Sequence, residues 1–297
     1  MKRLLSCYAS DCHKMSADEL KLSIQASAGR TIVGETVVVG EPLIEGVTNA
    51  EMMAAFGADL ILLNVFDVFE KRIAGMYACD NPIAEIKKLT GRPVGINLEP
   101  VDPTADFIEN RLEIGAGRCA CQETFVQAQE LGVDFICLTG NPATGVSNAS
   151  IKEAITRAKK YYSGLIFAGK MHAGGLSEKV LDEKQIIEFV RLGADGVLIP
   201  AVGTVPGVRE EEAANITQGI HELGGLVMST IGTSQESAGS FTIKQIGLSN
   251  KRVGVDIHHI GDGGYGKMAD PENIMDLSIT IRGKRHTYFK MAQSAIR

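Results

Sequence analysis

Lys170 is the residue whose sequence context most directly indicates chemistry. It follows the apolar run Ile166-Phe167-Ala168-Gly169 and stands two positions before His172, so alternation along a strand predicts that Lys170 and His172 share a face. Burial lowers the pKa of a lysine because desolvation disfavours its charged form, and a neutral amine can attack a carbonyl and form an imine. Two alternatives stay open: a charged Lys170 that holds a substrate carboxylate or phosphate, or a structural ion pair, for example with Glu99.

Histidines and polar side chains follow other apolar runs in a similar way. An imidazole titrates near neutral pH and can shuttle protons, which makes His172 and one of His258 and His259 candidates for that role. Only one of the adjacent pair can face a site, because neighbouring strand residues point to opposite sides. Asn97 and Glu99 would bind polar groups of a substrate. The candidate catalytic residues are therefore Lys170, His172, Glu99, His258 and His259.

Two glycine-rich turns near the end of the chain predict an anion site. They read Gly232-Thr233-Ser234 and Gly261-Asp262-Gly263-Gly264, and glycine lets backbone N–H groups converge on an anion. Asp262 would repel a phosphate unless it faces a sugar hydroxyl or a metal. Glu99 and Asp262 are weak candidates for a divalent cation such as Mg²⁺, which prefers oxygen ligands, whereas Glu35 and Glu236 are expected to be solvated loop groups. The predicted binding residues are Asn64, Asn97, Thr139, Ser229, Gly232, Thr233, Ser234, Gly261, Asp262, Gly263 and Gly264.

A short repeat identifies the elements that would position these residues. A glycine, then alanine or valine, then aspartate opens an apolar run at Gly57, Gly132, Gly193 and Gly254, at spacings of 75, 61 and 61 residues. Half of each spacing is close to the length of one strand–helix unit. Between these copies lie other strand-like runs, so that two interleaved sets of four predict eight strands. The second set is Thr31 to Val39, Pro93 to Leu98, Leu165 to Ala168 and Leu226 to Ile231.

The segments between strands space apolar residues at three and four positions, as helices do. Eight strand–helix units favour a (β/α)8 TIM barrel over residues 31–297, preceded by an extension over residues 1–30 with a helix from Ala17 to Ala28. The aspartates of the repeat then start strands at the floor and are structural, while the candidate site residues end strands at the mouth. An open doubly wound sheet is the alternative, but no GxGxxG turn follows the first strand. The expected barrel helices are Asn49 to Phe56, Glu123 to Leu131, Ser150 to Tyr161, Lys184 to Leu192 and Glu210 to Leu223.

Composition limits the function classes. The 297 residues include 30 Lys and Arg against 36 Asp and Glu, a net charge of −6, and 44% are hydrophobic. No apolar run approaches the roughly 18 residues of a membrane helix, and the acidity gives no basic footprint for nucleic acid. We expect a cytoplasmic homo-oligomer with neither membrane nor nucleic-acid partners. The six cysteines form no CxxC pair, which favours reduced thiols, with a metal site near Cys7, Cys12 and His13 as the alternative.

The order of the motifs resembles the phosphate-binding family of TIM barrels, through the four glycine–aspartate strand starts and the two late glycine turns. The chain is also similar to uncharacterised bacterial barrels of BtpA-like or phosphoenolpyruvate-mutase-like type, although it has no paired-aspartate metal motif of the mutase kind. The resemblance transfers no catalytic residue.

We expect an enzyme that acts on a small anionic, phosphorylated metabolite by lyase or isomerase chemistry. A metal-assisted hydrolase using the same histidines and carboxylates, and a non-catalytic metabolite-binding or assembly protein, are the alternatives.

Overall fold

Eight parallel strands close into a ring in the computed structural model, which describes residues 1–102, 104, 112–172, 178–263 and 267–297. Neighbours along the chain are neighbours in the sheet, and the last strand pairs with the first through Thr31 and Ile257. The TIM-barrel prediction is therefore confirmed. The strands are β1 (Thr31–Val37), β2 (Leu60–Asn64), β3 (Val94–Leu98), β4 (Phe135–Leu138), β5 (Leu165–Gly169), β6 (Gly196–Pro200), β7 (Leu226–Ile231) and β8 (Ile257–Ile260).

Helices follow the strands and cover the outside of the ring. Side-chain caps start several of them: Thr48 accepts the N–H of Glu51 at 3.2 Å, for example, which satisfies a donor that the first helical turn leaves free. Each predicted helix is present with ends shifted by at most two residues. In the described part of the chain the helices are α1 (Ala9–Cys12), α2 (Ala17–Ala26), α3 (Asn49–Ala55), α4 (Pro82–Thr90), α5 (Gln122–Leu131), α6 (Asn148–Tyr161), α7 (Glu183–Arg191), α8 (Glu210–Glu222), α9 (Ser240–Val253) and α10 (Pro271–Met291), the last interrupted at Gly283.

The aspartate of each repeat unit ties its strand to the strand before it. Each carboxylate accepts a backbone N–H from that earlier strand, and the aspartate's own N–H donates to the carbonyl of the same residue. The bonds hold alternate strand pairs in register at the floor of the barrel, which gives the repeat a structural role. The four carboxylate bonds join Ile32 to Asp59 (2.9 Å), Val94 to Asp134 (2.7 Å), Ile166 to Asp195 (3.0 Å) and Val227 to Asp256 (2.8 Å).

The N-terminal segment closes the floor. Leu20 and Ile24 of α2 are buried in one cluster with inward-facing strand residues, and the same cluster contains Cys7 and Cys12. All six cysteines are free thiols. The helix that precedes the barrel in sequence is therefore part of the barrel's apolar packing.

Strand alternation then sets the mouth. Val33, Leu62 and Cys137 point into the apolar interior, and the inward position two residues later is polar in each strand: Glu35, Asn64 and Thr139. The interior thus changes from apolar at the floor to polar at the carboxyl ends of the strands, where barrel enzymes carry their sites.

None of the helices in the described ranges combines the length and the apolar character that crossing a membrane requires.

Candidate active site

A buried histidine–carboxylate pair lies at the centre of the mouth. Nε2 of His259 is 2.7 Å from Oε2 of Glu35, and Nδ2 of Asn97 donates to the other Glu35 oxygen at 2.6 Å. The three residues are 0%, 2% and 4% exposed. Because a carboxylate only accepts, Nε2 carries the proton of the neutral ring and Nδ1 is the acceptor. Nδ1 of His259 finds no hydrogen-bond partner among the described residues.

A second chain of hydrogen bonds crosses the mouth beside this pair. Asn64 donates to Asp262 at 2.5 Å and to Asn141 at 2.9 Å. The amide of Asn141 then donates to Glu99 at 3.1 Å, and Glu99 accepts from Arg118 at 2.5 Å. Residues from four strand ends and their loops are therefore held in one network.

Asp262 is the carboxyl group at this mouth that titrates close to neutral pH. Burial raises its pKa, and so do the negative charges of Glu35 and Glu236, against the opposing effects of the Asn64 hydrogen bond and of His259. The pKa of Asp262 is about 7. A carboxyl group tuned in this way is typical of functional sites.

The glycine turns after β7 and β8 bring the backbone against these side chains. A methyl group on Gly261 would lie 3.0 Å from Cε1 of His259 and 3.1 Å from Oε2 of Glu35. A methyl group on Gly263 would lie 2.7 Å from Oε1 of Glu236, which is 2% exposed. The turn after β8 therefore needs glycine at both positions because its backbone approaches the site closely.

These turns surround carboxylates where the predicted phosphate would require donors. Glu236 and Asp262 both lie there, and neither Glu236 nor Glu35 is the solvated loop group expected from the sequence, since both are 2% exposed. Thr233 directs its hydroxyl to the carbonyl of Thr204, and Ser234 adopts a left-handed backbone with φ of 83°. Gly264 lies outside the described residues.

Lys170 is held away from the histidine–carboxylate pair. Its ammonium forms an ion pair with Glu178, and the same Glu178 oxygen accepts the N–H of Asn148 at the start of α6. The ion-pair interpretation therefore has a partner other than the expected Glu99, which pairs with Arg118 instead. Phe167 and Met171 pack in the interior cluster while Ala168 packs between strands and helices, so alternation along β5 itself places Lys170 on the outer side.

The remaining predicted residues divide between the two sides of the barrel wall. Glu35 and Glu99 lie close enough to His172 to raise its pKa, although burial outweighs them and leaves that pKa lowered. His258 lies on the outer side, with Nε2 3.2 Å from the carbonyl of Gly29 and its pKa lowered by burial to about 4. His259 is thus the member of the adjacent pair that faces the mouth.

Ser229 also belongs to the outer side. It alternates with Val227 and Ile231, which pack in the cluster between strands and helices. The inward residue is its neighbour Thr230, whose hydroxyl donates to the carbonyl of Ile199 at 3.0 Å. The side chain of Ser229, predicted to bind substrate, therefore lies outside the interior, while those of Asn64, Asn97 and Thr139 line it.

The described residues do not assemble the weak magnesium site. No group of three His, Cys, Asp or Glu side chains in these ranges has the geometry to hold a metal ion. Glu99 is engaged by Arg118 and Asn141, and Asp262 is engaged by Asn64.

The comparisons with known proteins give a family and a fold. A family model described as Domain of unknown function (DUF7916) matches residues 5–297. Its description does not contain the BtpA-like name suggested by the sequence resemblance. No curated protein matches the chain. Three of the solved structures that share the fold illustrate it. They are a Schiff base-forming fructose-1,6-bisphosphate aldolase (13% identity, TM-score 0.55, 88% of this chain and 97% of that chain), an archaeal fructose 1,6-bisphosphate aldolase (13%, 0.53, 87% and 96%) and 2,3-dimethylmalate lyase, a PEP mutase/isocitrate lyase superfamily member (14%, 0.51, 83% and 81%).

Proposed function

The chain belongs to the DUF7916 family, and we propose that it is an enzyme that removes a proton from a carbon atom beside a carbonyl group in a small metabolite. The observation that carries this proposal is the His259–Glu35 pair, in which a buried carboxylate fixes the imidazole and leaves Nδ1 without a partner among the described residues. A base that is held by a second group and has one free nitrogen is the arrangement that general-base catalysis requires.

The proposed step transfers one proton to the enzyme and shifts two electron pairs within the substrate. Nδ1 of His259 takes the proton from the carbon, the C–H electron pair forms a carbon–carbon double bond, and the carbonyl π pair moves to oxygen. The products are an enolate and an imidazolium. Glu35 stabilises the imidazolium because its carboxylate already accepts from Nε2 at 2.7 Å, and a charge-assisted hydrogen bond is stronger than a neutral one.

Arg118 supports the other end of this step. Its terminal nitrogen is bonded to Glu99, but its Nε is buried and has no partner among the described residues. A guanidinium donor of this kind suits a developing enolate oxygen, since fixed donors stabilise charge that appears in the transition state.

The enolate leads to the two reaction types expected from the sequence. If a proton is returned to the carbon that carried the carbonyl, the reaction is an isomerisation. If a bond to a substituent of the deprotonated carbon's other neighbour breaks instead, the reaction is that of a lyase. The three structures of similar fold are named as a lyase and two aldolases, and this proposal belongs to the same broad class. A hydrolase reaction receives less support because the described residues form no metal-binding group.

Solvent isotope exchange tests the proposal without knowledge of the natural substrate. Hydroxyacetone, aminoacetone and pyruvate are incubated with the protein in heavy water, and deuterium at the carbon beside the carbonyl is followed by NMR. We expect faster exchange than in buffer for at least one ketone, and a loss of about 100-fold or more in His259→Asn, in the range that general-base catalysis contributes.

Two further variants make the result specific. Glu35→Gln keeps the shape of the side chain but removes the charge that stabilises the imidazolium, and should also slow exchange. His13→Asn changes an exposed histidine and should exchange at the wild-type rate. Ketone binding without catalysed exchange, or exchange unchanged in His259→Asn, would contradict the proposal and favour a non-catalytic metabolite-binding protein.

A further inference from the structure

Buried polar atoms without partners are concentrated at the barrel mouth. In the described ranges they include Oδ1 of Asn97, Oγ1 of Thr139, Oε2 of Glu236 and Nδ1 of His259. The side chains that carry these atoms are at most 4% exposed. A buried polar atom without a partner is costly unless a ligand completes it. The unpaired atoms thus mark a ligand position.

The chemistry of these atoms is one-sided. The oxygens of Asn97 and Glu236 can only accept, and Nδ1 of His259 accepts while Nε2 donates to Glu35. Of these four, Thr139 alone can also donate, whereas a further unpaired donor among the described residues, Nε of Arg118, belongs to a guanidinium held on the Glu99 side of the mouth. A ligand that completes them must therefore supply hydrogen-bond donors.

The negative charge in one part of the mouth favours a positively charged donor group there. Glu236 follows β7 and lies against Gly263, the residue after Asp262, and it is close enough to raise the pKa of Asp262. Glu35 adds a third carboxylate, and the basic side chain near Asp262 is that of His259 on β8. Lys170 and Arg118 do not offset this charge locally, because each is paired elsewhere with a carboxylate.

We infer that the subsite between the β7 and β8 turns binds a protonated amine of the substrate, held by the carboxylates of Glu236 and Asp262. The inference rests on the proposed function in one respect, which is that both assign the substrate to this mouth. An ammonium supplies three donors and a positive charge. A phosphate or carboxylate at the same position would face two carboxylates and bring no donor to Oε2 of Glu236.

Three ketones of the same length test the charge at this position. Aminoacetone, hydroxyacetone and hydroxyacetone phosphate differ in having an ammonium, a hydroxyl or a phosphate on the same carbon. Dissociation constants are measured by calorimetry at mildly alkaline pH, where Asp262 is ionised. We expect aminoacetone to bind most tightly and hydroxyacetone phosphate most weakly.

Charge-neutral variants assign the preference to the subsite. Glu236→Gln should weaken aminoacetone binding about tenfold or more, as the loss of one partner of a buried charge pair does, and leave hydroxyacetone binding within about twofold, since an amide still pairs with a hydroxyl. Asp262→Asn is the second variant and should act in the same direction if Glu236→Gln does not fold. Glu272→Gln changes an exposed carboxylate in the first turn of α10 and should change neither constant.

The outcomes separate this inference from the proposed function. Preference for aminoacetone without catalysed exchange would support the amine subsite and contradict the proton transfer, whereas exchange without that preference would do the reverse. Tighter binding of the phosphate compound, absence of aminoacetone binding, or displacement of aminoacetone by Mg²⁺ would overturn the amine assignment.

Discussion

The four floor aspartates form a matched series. Replacing each by asparagine removes its charge and so measures what that charge contributes to the free energy of unfolding. In every case Oδ1 of an asparagine can still accept the backbone N–H that the aspartate accepts now. The ion partners differ, however. Asp59 pairs with Arg282 and Lys290 in a position where all three side chains are at most 1% exposed, whereas Asp134 and Lys87 are 23% and 22% exposed.

The expected magnitudes follow from burial. Burial alone would raise the pKa of Asp59, but Arg282 and Lys290 outweigh it and keep that pKa below its ordinary value. Asp59→Asn leaves buried cations without their counter-charge and should cost about 3–5 kcal/mol in the free energy of unfolding. Asp134→Asn and Asp195→Asn break ion pairs with Lys87 and Lys21, whose side chains remain 18–23% exposed. Each should therefore cost less than about 1 kcal/mol in the free energy of unfolding.

Urea denaturation of the wild type and the three variants measures these differences directly. The contribution of Asp59 is present above its unfolded-state pKa and should be lost as pH falls through its lower folded-state pKa, so the Asp59→Asn difference should shrink in acid. A cost for Asp59→Asn no larger than for Asp134→Asn at neutral pH would refute the assignment of a buried ion cluster at the floor.

Three further predictions concern the barrel wall and the mouth. The pKa of His258 is about 4 against about 6.5 in an unfolded chain, so the protein should lose roughly 3 kcal/mol of stability as pH falls from about 6.5 to 4. His258→Gln should flatten that part of the pH–stability curve. An unchanged curve would contradict the burial of a neutral ring. Gly261→Ala places a methyl group 3.0 Å from His259 and should slow ketone exchange with a cost of about 1–3 kcal/mol in stability, while wild-type exchange would show that the turn does not contact the site. Because Lys170 is paired with Glu178, borohydride treatment with hydroxyacetone should leave Lys170 unmodified by mass spectrometry, and an adduct at that residue would restore the imine hypothesis.

The fold and much of the mouth could be predicted because they depend on local periodicity. Alternation along β2 and β3 carries Asn64 and Asn97 inward, Asn64 by the same parity as Leu62. Glu35 follows the parity of Val33 in β1, although we expected a solvated loop group there. The glycine–aspartate repeat recurs at each second strand because every copy makes the same backbone hydrogen bond.

The partners at the site could not be predicted because they are distant in sequence or lie in loops. His259 and Glu35 are 224 positions apart, and Asn141 and Glu99 are 42 apart. The partner of Lys170 is Glu178, which lies in a loop eight positions later, and alternation along β5 does not identify it. Glu236 resembles any loop glutamate in the sequence, and its burial results from the close approach of Gly263.

The proposed proton transfer depends on Nδ1 of His259, which has no hydrogen-bond partner in the described ranges. Nitrogen-15 NMR of histidine-labelled protein observes the protonation of this atom directly. At neutral pH the His259 signals, assigned by their loss in His259→Asn, should show a protonated Nε2 and an unprotonated Nδ1 that responds to added ketone. A proton on Nδ1 of the neutral ring would contradict its role as the base.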